Sequence, residues 1–235
     1  MRRSCGRQNI PKILIGFGRH LVYAEGTKTE IFYVKNIRDI VAEKLNVEPR
    51  DVSIIPVPAN QSKHTNELVS YAINDVKNRR LNGETIDHVW IFYDKDDFED
   101  FDDTFTRIRK LNTLETGKTN EVPCDENGIS WHACWSNECF EVWIYHYFEN
   151  LTVPLERGTY GKHINSFLKQ RGCQETYKKN KEKLHTFLTD NGGSIEKAVK
   201  WMKRKDVKND KKPNPSSGVY LFAEFIIKYL NSISK

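Results

Sequence analysis

Hydrophobic and polar positions follow two alternating periods along the first half of the chain. Residues 20–25 form a short apolar run that ends in one acid, Glu25, and reads as a strand. Helical spacing follows over 29–45, with Ile31, Phe32, Val34, Ile37 and Val41 on one side. Thr29 stands where a helix N-cap is expected. A β-branched run over 52–57 predicts a second strand, ended by prolines. A second helix is predicted over 65–81, with Leu68, Tyr71, Ala72 and Val76 on one face. Residues 87–93 predict a third strand. Strands separated by helices imply crossover units and a mainly parallel sheet, so the fold class read here is α/β with helices flanking the sheet.

Beyond the third strand the pattern predicts a helix over 102–111, a strand over 128–135 and a buried helix over 140–150. The remainder reads as mostly helical and basic. Residues 208–218, rich in Pro, Asn, Ser and Gly, read as a loop, and 219–232 as a last amphipathic helix.

Composition narrows the class. With 38% hydrophobic and 29% charged residues the chain suits a folded protein and not a disordered one. No apolar run approaches the roughly 20 residues that span a bilayer, so no membrane partner is expected. The basic start, followed by a brief glycine-broken apolar stretch, lacks the length and cleavage pattern of a signal peptide. Five scattered cysteines fit a reducing compartment, and the expected location is cytoplasmic. His132, Cys134, Cys139 and His146 lie close in sequence without a common zinc spacing.

Charge is distributed unevenly. Residues 84–150 hold 16 acids against 5 Lys and Arg, and residues 157–212 hold 16 Lys and Arg against 6 acids. Acid clusters bind divalent metals and basic faces bind phosphate backbones. The third strand runs directly into Asp94, Asp96 and Asp97. In an open parallel sheet ligands sit beyond the carboxyl ends of strands, where Glu25 and Asp94 would meet. Asp94-Lys95-Asp96 aims two carboxylates at one cation, and Mg2+ takes oxygen ligands of this kind. Glu25 could then transfer a proton, with Gly26 leaving room for a phosphate or an ion.

The motifs carry a resemblance. Glu25-Gly26-x-x-Thr29-Glu30-x-x-Tyr33, then Phe92-Tyr93-Asp94-Lys95-Asp96-Asp97-Phe98, then Ser136-Asn137-x-Cys139-Phe140-Glu141-x-Trp143 with His146, and Asn214-Pro215-Ser216-Ser217 together resemble the RloB-like proteins of the Toprim superfamily. Glu138 stands where that pattern carries proline. The resemblance implies a Toprim-like core over 20–152, preceded by an extension over 1–19. A helical basic C-terminal region over 153–235 would pack on that core. It implies that Glu25 is the general acid/base, that Asp94 and Asp96 hold Mg2+ or Mn2+, and that the activity is cleavage of RNA or DNA in anti-phage defence. It also implies a partner ATPase encoded nearby. The chain itself has no P-loop motif.

Asp97 is a further candidate metal ligand, and Glu141 a further catalytic carboxylate on an otherwise apolar helix, where an unpaired charge is expensive. His146 reads as a core histidine or as a site residue. Lys28, Lys95, Lys178, Lys179, Lys203 and Arg204 are the candidate nucleic-acid contacts, with Tyr177 and Trp201 available to stack bases. Two other readings compete. A DxD after an apolar strand also occurs in metal-dependent glycosyltransferases, although that reading leaves Glu25-Gly26-x-x-Thr29-Glu30 unexplained. A non-catalytic, partner-regulated nucleic-acid-binding subunit is the other.

Overall fold

The computed structural model describes residues 17–58, 65–96, 99–114, 123–206 and 213–234. Four parallel strands, β1 (His20–Ala24), β2 (Ile54–Pro58), β3 (His88–Asp94) and β4 (Ser130–Asn137), and the short antiparallel β5 (Ser216–Ser217) form one sheet. Their order is β2-β1-β3-β4-β5. The helices are α1 (Thr29–Leu45), α2 (Thr65–Leu81), α3 (Phe101–Leu111), α4 (Glu141–Tyr145), α5 (Tyr160–Gln170), α6 (Leu184–Asp190), α7 (Ile195–Asp206) and α8 (Tyr220–Ile233). The expected α/β class and mainly parallel sheet with flanking helices are present.

Alternation along the strands builds two cores. Val22, Ala24, Trp90, Phe92 and Cys134 face one layer, with α1 and the helices after β4. Leu21, Tyr23, Val89, Ile91, Tyr93 and Trp135 face the other, with α2 and α3. Because side chains alternate across a strand, each strand can read as a continuous apolar run and still feed both layers. The first core is continuous from Phe17 to Ile226, so the C-terminal helices share it with the sheet.

Several boundaries differ from expectation. Pro56 and Pro58 lie inside β2 rather than after it, which an edge strand permits because one row of its backbone groups makes no ladder. The strand expected over 128–135 runs over Ser130–Asn137, since Gly128 adopts φ +78° in the preceding turn. The helix expected over 140–150 is a single regular turn, Glu141–Tyr145, followed by irregular turns through Phe148. All of 142–148 is buried, so apolar burial rather than helix length set the pattern. Thr29 does not cap α1. Lys28 holds that position, and the Thr29 hydroxyl instead donates to the Lys179 carbonyl at 2.9 Å. The loop expected over 208–218 contains β5, whose serines pair with Ser136 and Asn137. Cys124, Cys134, Cys139 and Cys173 are all free thiols. Among the described residues no helix is long and apolar enough to cross a membrane.

Buried histidines hold the ends of this frame together. The Trp90 indole N–H donates to His20 Nδ1 at 3.0 Å, and His20 Nε2 lies 2.6 Å from the Phe17 carbonyl. Burial and the neighbouring His88 push the His20 pKa down to about 3. Burial likewise pushes His146 and His185 down to about 4. All three are therefore neutral in the native protein at pH 7 and protonate more readily once unfolded. Stability is fully present above pH ~6.5 and falls as pH drops toward 4, by at most roughly 1.4 kcal/mol per pH unit for each histidine. Urea unfolding at pH 7.5 and pH 5 is expected to show this loss, and His20→Gln to reduce the slope. An unchanged midpoint across that range would contradict the assignment.

Candidate active site

The chain leaves β1 and β3 in opposite directions, β1 through α1 toward β2 and β3 through α3 toward β4. This is the place where an open parallel sheet leaves a crevice at its carboxyl edge. Glu25 and Asp94 flank it. The Glu25 backbone N–H donates to the Phe92 carbonyl at 3.0 Å, and the Asp94 backbone N–H donates to Glu25 Oε2 at 3.4 Å. Asp94 shares the strand face of Trp90 and Phe92, which points its side chain toward α1 and α4. The crossing expected from sequence alone, two acids remote in the chain meeting at one edge, is present.

The next residues are laced to β4. Lys95 N–H donates to the Ser136 carbonyl at 2.9 Å and Asp96 N–H to the Glu138 carbonyl at 3.1 Å. Asp96 adopts φ +43°, a conformation that Asp tolerates better than most residues. This reversal carries its carboxylate to Arg157, with which Oδ1 forms an ion pair. Glu138, in place of the expected proline, also accepts from the Asn214 amide at 3.3 Å. The segment leading into β5 is thereby tied to the same edge.

Glu141 begins α4 and is buried. Its Oε1 accepts from the Tyr177 hydroxyl at 3.0 Å and from Lys179 Nζ at 3.0 Å. The expected burden of a charge on an apolar segment is thus answered by two donors from the C-terminal half. Glu30, which the sequence marked only as part of a motif, belongs to the cluster. Burial, with Glu141 and Glu25 as neighbouring charges, pushes its carboxyl up to about 7. Asp94 is held well above the usual carboxylate range, first by burial and then by Glu30, Asp96, Glu141 and Glu25. The signal that could have found Glu30 is its spacing. It lies four residues after Gly26, and a Cβ on Gly26 would come within 2.0 Å of its Oε2. Gly26 therefore makes room for a carboxylate of the chain itself, where the sequence suggested room for a ligand.

The other motif residues brace this cluster. The Tyr33 hydroxyl lies 2.9 Å from that of Tyr147, which lies 2.8 Å from His185 Nδ1, in a buried chain joining α1, the segment after α4, and α6. His146 is fully buried. Its Nδ1 lies 2.6 Å from the Val142 carbonyl and its Nε2 3.3 Å from Lys205 Nζ, so it is a core histidine. Lys205 also donates to the Pro215 carbonyl at 2.8 Å and to the Leu151 carbonyl.

The six candidate nucleic-acid contacts separate. Lys178 and Lys179 are exposed and line a recess of about 450 Å3 beside Glu141 and Arg157. Lys28 is exposed at the start of α1, and Lys95 lies between the two aspartates. Lys203 pairs with Glu224 at 2.7 Å, and Arg204 lines a different recess with Trp201 and Asn214. A third recess, between α2 and residues 125–131, contains none of the candidate residues. Asp97 lies outside the described residues.

A family model described as RloB-like protein matches residues 20–226. The chain belongs to the RloB-like protein family. The matched span holds every RloB-like motif residue named above. No curated protein and no solved structure matches the chain.

The donor set of this RloB-like site fits a hard divalent cation, which takes carboxylate oxygens. Glu25, Asp94 and Asp96 would hold it. The repulsion from neighbouring carboxylates that adds to burial in raising Asp94 is what such an ion would relieve. Among the described residues no three His, Cys, Asp or Glu side chains stand arranged for an ion as they are, and Asp96 and Glu141 instead face Arg157 and Lys179.

Like charges held together cost stability. Glu30 titrates at about 7 in the folded chain against about 4.5 when unfolded, so its penalty appears as pH rises through that window. Glu30→Gln is expected to raise unfolding stability at pH 8, on the order of 2 kcal/mol, with no gain at pH 4.5. Equal stability of the two proteins at pH 8 would remove Glu30 from the repulsive cluster.

Proposed function

We propose that this protein is a metal-dependent nuclease of the Toprim type, cutting RNA or DNA in anti-phage defence. The observation that carries this reading is the convergence of Glu25, Asp94 and Asp96 at the sheet's crevice, with Glu141 behind them. A cation-lined recess opens beside them. Glycosyl transfer gives no role to Glu25, whereas phosphodiester hydrolysis uses a general acid/base there.

A bound Mg2+ or Mn2+ would supply charge stabilisation at the phosphoryl oxygens and an activated water. Asp94 and Asp96 would hold the ion. Glu25, fixed by its bond to the Asp94 backbone, moves the proton between water and leaving oxygen. Arg157 and Lys179 supply positive charge toward a phosphate, and the buried Tyr177 hydroxyl keeps Glu141 oriented. The partner ATPase remains part of the proposal as a regulator. Co-purification from the native host tests it, and full activity of the isolated chain without such a partner would count against it.

The deciding experiment incubates the purified protein with total tRNA, single-stranded DNA and plasmid, in Mg2+, Mn2+ and EDTA. Cleavage is expected in one of the metals and not in EDTA. Glu25→Ala and Asp94→Ala are each expected to lower the rate by at least about 10²-fold while circular dichroism stays unchanged. A variant that cuts as well as the parent would remove that residue from the site.

A further inference from the structure

The two cations that meet the acidic cluster also face outward. Arg157 pairs with Asp96 and Lys179 with Glu141, yet their side chains keep 47% and 69% of their exposure. Both line the recess of about 450 Å3, together with Lys178, Gly158 and Gly161. A Cβ on either glycine would meet nothing within 4 Å, so there is open space around the turn before α5 and its first residues.

The main chain at the two cations is held in place, while their tips are held by ion pairs that remain partly exposed. The Lys179 carbonyl accepts from Thr29, and Tyr177 N–H donates to Asn165 Oδ1 at 2.6 Å. Arg157 sits in a 3-10 turn directly before α5. A rotation of either side chain from carboxylate to recess therefore needs no movement of the main chain. Paired with the acids, these cations cancel part of the repulsion a phosphodiester would meet, and only by leaving the carboxylates can they contact a phosphate directly.

Resting on the proposed function, we infer that Arg157 and Lys179 are two-position residues. Without metal they neutralise Asp96 and Glu141. With a divalent cation on the carboxylates they turn into the recess and bind a phosphate of the nucleic-acid strand beside Lys178. Arg157 and the metal compete for the Asp96 carboxylate, and Lys179 on neighbouring Glu141 answers the same cluster of negative charge as the metal, so metal binding and strand binding strengthen each other by one shared factor.

The test measures Mn2+ binding by electron paramagnetic resonance and the binding of labelled single-stranded RNA and DNA oligonucleotides by fluorescence anisotropy, the latter in Ca2+ and in EDTA. Arg157→Gln and Lys179→Gln are expected to bind Mn2+ roughly three- to fivefold more tightly, the scale of a partly exposed ion pair. In Ca2+ the same variants should bind the strand roughly tenfold more weakly. Lys178→Gln should weaken strand binding and leave Mn2+ affinity unchanged. Arg157→Lys, which keeps the charge, should shift both readouts less than Arg157→Gln. Matched melting curves verify that each variant folds.

If Arg157→Gln and Lys179→Gln leave Mn2+ affinity unchanged or weaker while Asp94→Asn loses the ion, the two-position inference is wrong and the metal site stands. If Asp94→Asn keeps full Mn2+ affinity, the metal site is wrong and the inference falls with it.

Discussion

The constraint on which this structure depends is the crowding of acids at one edge of the sheet. Glu25, Glu30, Asp94, Asp96 and Glu141 are brought together by β1, α1, β3 and α4, and burial followed by their mutual charges raises Asp94 and Glu30 far from ordinary carboxyl behaviour. A folded chain selected for stability alone would separate these groups. Here the C-terminal half answers them, with Arg157 on Asp96 and with Lys179 and Tyr177 on Glu141. The uneven charge along the sequence, acidic in the middle and basic after it, becomes in three dimensions a local compensation as well as a surface property.

The family motifs take on physical meaning once the site is built. Gly26 lets the Glu30 carboxylate pass, Thr29 fixes the main chain at Lys179, and Tyr33 joins a buried hydroxyl–imidazole chain. Ser136 and Asn137 pair with β5, and Asn214 reaches Glu138. Only some residues in these motifs touch the crevice. The others determine how close the acids stand and which cations reach them.

Much of the frame was legible in the sequence because it rests on local periodicity. The alternation over 20–93 marked three strands and two helices, and the position of Glu25 and Asp94 at strand ends placed them together at the carboxyl edge. What escaped depends on long-range contact. The segment around Glu141 reads as a long helix, because every residue from 142 to 148 is buried whatever its backbone does. β5 is two residues long and exists only because β4 offers it an edge. Arg157 carries no mark in the sequence. Its importance comes from a positive-φ turn at Asp96, 61 positions earlier. Glu30 stood in the sequence only as part of a motif, and its approach to Gly26 and its neighbours Glu141 and Glu25 place it among the carboxylates.

β5 joins the sheet from position 216, and Lys179 and Arg157 also follow all five acids in the chain. During synthesis the carboxylates therefore leave the ribosome before either of their counter-charges, and the free edge of β4 waits for the last strand. The N-terminal 150 residues carry the full repulsion of the site with none of its relief. A chain cut short before Arg157 keeps all five acids but neither their counter-charges nor the strand that pairs with the edge of β4.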